Sequence, residues 1–366
     1  MKSGNTDSIS KKTSIAIALA MAGSLSVAGV ASAQQFETLE ESKPPLVLES
    51  VGSFYVGGDL IFSDALGTDS RTGHTMVNQM YVQYMVPQGR QKVPVVLVHG
   101  GGLSGKNYDT QPDGRMGWFE YFVREGYPTY IPDQAARGRS THDVSLFNQV
   151  RAGLLPPDEL PLMNRTSNEF AWTAFRFGPQ PGIPFPDTQF PIEALDEFAK
   201  QQTTTLNALL PSPDPNWQAM AELAAKLDGA VLAGFSQSGR FPLEAALIDP
   251  AGIRGAVLLE PAGGCNANIY TDDEIATLAT VPIQVVFGDH LAGTTWQAAF
   301  DNCNIFIERV NSAGGNAEML YPPAMGIFGN SHMLMNDLNS DQIADLIIDW
   351  ISENVERRGR GVGRNR

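Results

Sequence analysis

Ser236, in Gly234-Phe-Ser-Gln-Ser-Gly239, has the surroundings in this chain that best suit a nucleophile. The small, apolar run Ala230 to Phe235 reads as a buried strand, and helix-forming residues follow from Phe241 to Ile248. A strand that stops at a Gly-x-Ser turn and passes straight into a helix holds the serine in a strained conformation with its hydroxyl exposed. Small residues two positions before and after let strand and helix approach. Here they are Gly234 and Ser238, the latter where glycine is usual. A serine-rich turn without chemistry would carry the same local pattern, so the reading depends on partners.

A serine of this kind needs a base. Of the five histidines, His74 falls in a turn before the sheet and His142 opens an insertion. His99 sits at the foot of His99-Gly-Gly-Gly102, where a histidine is expected to brace backbone, and His290 directly follows a strand. His332 lies in Gly326-Ile-Phe-Gly-Asn-Ser-His-Met333, between the last strand and the last helix. That is the place for the base when nucleophile, acid and histidine follow in that order. An acid must fix its tautomer and stabilise the imidazolium. Glu260 and Asp289 both follow strands at the carboxyl edge, and periodicity does not choose between them. Asp289 also suits a turn residue whose carboxylate caps backbone amides. The oxyanion needs two fixed donors: the N–H of Gln237, and one from the glycine loop, Gly101 first and Gly102 as the alternative.

These residues must be carried by a sheet. Strands are expected at 54–59, 75–85, 93–98, 128–133, 230–235, 253–259, 282–287 and 317–321, with helices at 118–124, 217–227, 241–248, 295–312 and 341–355. The second strand alternates apolar and polar residues, as a half-exposed antiparallel edge does. Strand, helix, strand at this spacing predicts a mostly parallel sheet with helices on both faces. From about 144 to 202 the rhythm breaks. Eight prolines exclude regular strands, while aromatics such as Phe170, Trp172, Phe175, Phe177, Phe185 and Phe190 need something to cover, which predicts a cap over the site.

Residues 1–33 read as a secretory signal peptide: Lys2, Lys11 and Lys12 precede an uncharged stretch, and Ala31-Ser-Ala33 makes a cleavage site. The remainder, 34–356, reads as one domain with an insertion, followed by a basic flexible tail at 357–366. The net charge of −15 becomes −17 without the leader, which argues against nucleic acid and anionic membranes as partners. An exported chain, periplasmic or secreted, favours pairing of its two cysteines, Cys265 and Cys303. Two cysteines without clustered histidines do not make a metal site, so neither metal nor cofactor is expected.

Taken together, His99-Gly-Gly-Gly102, Pro112-Asp-Gly-Arg-Met-Gly-Trp118, Asp133-Gln-Ala-Ala-Arg-Gly-Arg-Ser140, the Ser236 elbow, Glu260-Pro261 and Gly329-Asn-Ser-His-Met333 resemble a small group of exported bacterial esterases of the α/β-hydrolase superfamily. The resemblance spans most of the chain and is weakest in the insertion. It implies an α/β-hydrolase fold, a glutamate acid at Glu260 in preference to Asp289, and a Cys265–Cys303 disulfide. Members of the group carry adjacent cysteines where this chain has Gly101 and Gly102, so any rigidity from that feature is missing. The implied activity is hydrolysis of small carboxylic esters by a Ser236–His332–Glu260 triad through an acyl-enzyme. A lactonase, amidase or peptidase would use the same residues, and a hydrolase-fold binding protein would keep them without turnover.

Overall fold

A computed structural model describes residues 43–68 and 71–357 of the chain. The expected signal peptide and residues 358–366 of the expected tail lie outside the described residues. Eight strands form one sheet: β1 (Leu48–Ser63), β2 (Gly73–Pro87), β3 (Val95–Val98), β4 (Thr129–Asp133), β5 (Ala230–Phe235), β6 (Ile253–Leu259), β7 (Ile283–Val286) and β8 (Ala317–Leu320). Their spatial order is β1-β2-β4-β3-β5-β6-β7-β8. β1 and β2 pair antiparallel, as do β2 and β4, and the remaining pairs are parallel.

The central strands β3 and β5 are short and wholly apolar because both of their faces are covered. Alternate residues serve opposite cores. Val96, Val98, Leu232, Leu258 and Val285 pack under α5 (Pro215–Lys226), α6 (Phe241–Ile248), α7 (Asp272–Leu278) and α8 (Thr295–Ser312). Val95, Leu97, Val231, Ala233, Val257 and Leu259 pack under α1 (Trp118–Arg124) and α9 (Ser340–Ile351). This is the expected α/β-hydrolase architecture.

Three expectations shift. β1 runs well beyond 54–59, from Leu48 to Ser63, because its partner β2 supplies backbone hydrogen bonds along its length. The outer edge is therefore β1, and β2 sits one place in. α7 was not expected at all, although Thr271 and Glu274 form a capping box at its start.

Between β4 and α5 the chain leaves the sheet and makes α2 (Ser145–Arg151), α3 (Asn168–Ala174) and α4 (Leu195–Lys200). Its aromatics join the second core: Phe177 stacks on Phe190 with centroids 3.7 Å apart, and Phe175 meets Phe198 edge-on at 5.9 Å. Among the described residues, no helix is long and apolar enough to cross a membrane.

Candidate active site

Ser236 follows β5 with φ +56°, a left-handed conformation that a non-glycine residue seldom adopts. The close approach demands glycine before it, since a side chain at Gly234 would sit 2.1 Å from the Ser238 carbonyl. Ser238 replaces the usual glycine for a visible reason. Its hydroxyl accepts the N–H of Phe235 at 2.9 Å and reaches the carbonyls of Val98 and Phe235 at 3.1 and 3.0 Å. It thereby ties the elbow to the end of β3. The tight packing is taken one residue later, where a side chain on Gly239 would meet Pro261 at 2.6 Å.

His332 brings its Nε2 within 3.0 Å of Ser236 Oγ and its Nδ1 within 3.1 Å of Glu260 Oε2. Its ring is fully buried between Trp296, Phe235 and Phe175, at centroid distances of 4.2, 4.7 and 5.2 Å. The loop that carries it is knotted on Asp337. That carboxylate accepts the N–H and hydroxyl of Ser331 at 2.8 and 2.6 Å and the Asn330 amide at 3.0 Å. Burial pushes Asp337 up to about 6 despite these donors.

Glu260 begins the turn after β6 with φ +48° and is fully buried. Its two oxygens are divided. Oε2 faces His332, while Oε1 accepts the N–H of Gly288 and, at 2.6 Å, Arg176 Nη2. Burial pushes the Glu260 carboxyl up, but the charge of Arg176 and the contact with His332 outweigh it, so its pKa falls below the ordinary value. Burial pushes His332 down, the Glu260 hydrogen bond opposes this, and the net direction is downward. The resting pair is an ionised glutamate beside a neutral imidazole. Asp289 is engaged elsewhere: its carboxylate accepts the N–H of His290 at 2.6 Å and of Gly329 at 3.0 Å.

Arg176 is the site residue that the sequence reading passed over. It is buried at the end of α3, with φ +59°, and its Nε also donates to the Asp289 carbonyl at 2.7 Å. Its neighbours are as closely involved. Trp296 Nε1 donates to the Ala174 carbonyl at 2.7 Å, and the His332 N–H to the Phe175 carbonyl at 2.9 Å. Three consecutive residues of the insertion therefore support the Ser236–His332–Glu260 chain from behind. A lone arginine between Phe175 and Phe177 was the available signal, because a charge buried among aromatics must find a partner.

On the other side of Ser236 lies the glycine loop. A side chain on Gly100 would strike Ser236 Cβ at 2.9 Å, and one on Gly101 would meet Gln237 Oε1 at 3.5 Å. Gly102 has φ +68°, and its carbonyl accepts the Thr203 N–H at 2.7 Å. The Asp133–Ser140 block braces this loop. Asp133 accepts the Gly105 N–H at 2.6 Å and pairs with Arg139 Nε at 2.8 Å, while Gln134 donates its N–H to His99 Nε2 at 3.0 Å.

The other histidines stand apart from Ser236: His74 lies against Phe62, His142 against Phe147, and His290 stacks on Phe185. Asp187, Asp289 and His290 bring ligand atoms within 4.8 Å of one another, but His290 and Asp187 already contact each other at 3.0 Å and Asp289 holds backbone amides. Cys265, on the loop after Glu260, is disulfide-bonded to Cys303 of α8.

No protein-family model matches the chain. The atomic-resolution structure of a bacterial esterase superposes on it with a TM-score of 0.82 and 42% identity, over 86% of this chain and 98% of that one. A fungal protein described as a probable secreted lipase, phiG, is 27% identical over 327 residues, 75% of this chain and 86% of its own length.

Proposed function

The chain belongs to the α/β-hydrolase esterases and acts on carboxylic ester bonds; from that premise we propose that Ser236, His332 and Glu260 form its catalytic triad. His332 takes the proton of Ser236 as Oγ attacks the ester carbonyl, and Glu260 stabilises the imidazolium. The N–H groups of Gly101 and Gln237 receive the oxyanion. The tetrahedral adduct collapses, and the alcohol leaves with the proton from His332. Water then gives its proton to His332 and attacks the acyl-enzyme, and collapse of the second adduct returns Ser236 and releases the carboxylic acid. One observation carries this reading: the unbroken hydrogen-bond chain from Ser236 Oγ through both nitrogens of a buried His332 to Glu260, with contacts of 3.0 and 3.1 Å.

The segment at 144–202 serves as the cap. Its support is the contact of Phe175 with His332 on one side and the bond from Thr203, the residue that follows it, to Gly102 on the other. Residues 1–33 direct export, a reading supported by the Cys265–Cys303 bridge, which suits an oxidising compartment, and by similarity to a protein described as secreted.

Hydrolysis of short p-nitrophenyl esters tests the triad. Ser236→Ala is expected to lose on the order of 10⁴- to 10⁶-fold in kcat, and a fluorophosphonate is expected to label the wild-type protein at Ser236. A Ser236→Ala protein as fast as wild type would overturn the assignment.

A further inference from the structure

Backbone amides beside glycines are the least constrained donors a chain possesses, yet an oxyanion hole needs them fixed before the reaction starts. The peptide joining Gly100 to Gly101 could rotate as a unit. Its carbonyl would then face the site in place of the Gly101 N–H, presenting an acceptor where an anion must sit. Two buried hydrogen bonds to the Gly100 carbonyl oppose this. His99 Nδ1 lies 2.9 Å from it, and Arg137 Nη1 donates to it at 3.1 Å. The His99 tautomer follows from its other nitrogen, which accepts the Gln134 N–H and leaves the proton on Nδ1, aimed at Gly100. Burial pushes His99 down to about 4, against the pull of Asp133, so the ring stays neutral and keeps that tautomer.

Arg137 reaches further. Only 2% exposed, it donates through Nη2 to Gln237 Oε1 at 2.8 Å and holds Asn207 Oδ1 with Nε and Nη2 at 3.0 and 2.6 Å. One guanidinium thus grips the peptide that carries the first oxyanion donor and the side chain of the residue that carries the second. In a trans peptide the N–H points opposite to the C=O, so fixing the Gly100 carbonyl fixes the direction of the Gly101 N–H. A cation on that carbonyl also polarises the N–H.

We propose that Arg137 is the positioning residue of the oxyanion hole, locking the Gly100–Gly101 peptide and Gln237 in register before substrate binds. The inference rests on the assignment of Ser236, Gly101 and Gln237 above. A role confined to the fold would lower stability without distinguishing ground state from transition state. A role in aiming donors weakens binding of the tetrahedral oxyanion and leaves binding of the planar ester largely alone.

The experiment compares wild type with Arg137→Met and Arg137→Lys, measuring kcat and KM on p-nitrophenyl butyrate and affinity for an aryl trifluoromethyl ketone, which forms a tetrahedral oxyanion adduct with a serine. Arg137→Met is expected to lose kcat and ketone affinity in parallel, by on the order of 10²- to 10³-fold, with KM within about threefold. Arg137→Lys keeps a cation but not the fork, and is expected to fall between. Ketone affinity within about threefold of wild type in a folded Arg137→Met, or ketone affinity in a folded Arg137→Lys no better than in Arg137→Met, overturns the proposal, as does failure of both variants to fold, which makes Arg137 a stability residue. An absence of any fluorine-19 adduct signal with wild-type protein, where Ser236→Ala serves as the blank, would instead overturn the underlying assignment of Ser236.

Discussion

Each flank of Ser236 rests on one buried arginine, and the two arginines keep opposite company. Arg176, behind the base, is paired with the Glu260 carboxylate at 2.6 Å, with both side chains withdrawn from solvent. Arg137, behind the glycine loop, donates to neutral oxygens of Gly100, Asn207 and Gln237. Burial pushes Arg137 down to about 10, and the charge of Asp214 offsets only part of that. The first arrangement balances a charge; the second aims dipoles. In the proposed mechanism the base flank must hold an anion ready to stabilise an imidazolium. The oxyanion flank must hold amides ready for an anion that arrives only in the transition state, so a fixed carboxylate there would oppose the reaction.

The largest effect expected from this contrast is at the proposed acid, Glu260. Glu260→Gln keeps the shape and removes the charge that fixes the His332 tautomer, and kcat is expected to fall on the order of 10³- to 10⁴-fold. Asp289→Asn disturbs only a carboxylate on the amides of His290 and Gly329, and is expected to cost under tenfold. Steady-state hydrolysis by the two variants under one set of conditions separates them. A deeper loss in Asp289→Asn would move the acid to Asp289 and break the comparison on its base side.

Next in size is stability. Removing Arg176 alone leaves a buried carboxylate without its cation, which is expected to cost about 3–5 kcal/mol. Removing Arg137 leaves neutral acceptors and is expected to cost less, about 1–3 kcal/mol. The double variant Arg176→Met/Glu260→Gln takes away both charges and is expected to recover roughly 1–3 kcal/mol over Arg176→Met alone. Urea denaturation of the variants reads these differences. Equal costs for the two single arginine variants, or no recovery in the double, would show that the charge argument does not distinguish the flanks.

What the sequence disclosed follows the same division. Ser236, His332 and both acid candidates follow strands or lie on the loop before the last helix, so strand periodicity and chain order find them. Choosing between Glu260 and Asp289 was beyond periodicity, because each follows a parallel strand. The choice turns on which carboxylate the turn presents, and Glu260 is turned by a left-handed φ that leaves no trace in residue type. The arginines were harder still. Arg176 is 84 residues from Glu260 and lies in the proline-rich insertion, where no periodic element sets its direction. Arg137 stood in a block that carried the resemblance, Asp133 to Ser140, yet with no role attached. Its partners are backbone and amide oxygens, which any sequence supplies everywhere. Charged pairs at least narrow the search by sign; aimed dipoles do not.

The smallest expected effect is a shift in pH dependence, and it sharpens the comparison most. In the proposed mechanism His332 must be neutral to accept the Ser236 proton, so activity is expected to be lost as pH falls through its pKa. Burial lowers that pKa from 6.5, and the hydrogen bond to Glu260 recovers only part. The acid limb of the wild-type kcat/KM profile is therefore expected below the ordinary histidine value. Arg176 is among the groups that hold both His332 and Glu260 down. Loss of its charge raises both, and the acid limb of Arg176→Met is expected to move to higher pH. The charges that act on His332 are those of Glu260 and Arg176, so Arg137→Met is expected to lower the plateau without moving the limb. Profiles of kcat/KM from pH 4 to 9, measured at low temperature to keep Arg176→Met folded, compare the two. A limb that moves equally in both variants would mean that Arg137 acts on the base through its charge, and the two flanks would then be one electrostatic unit.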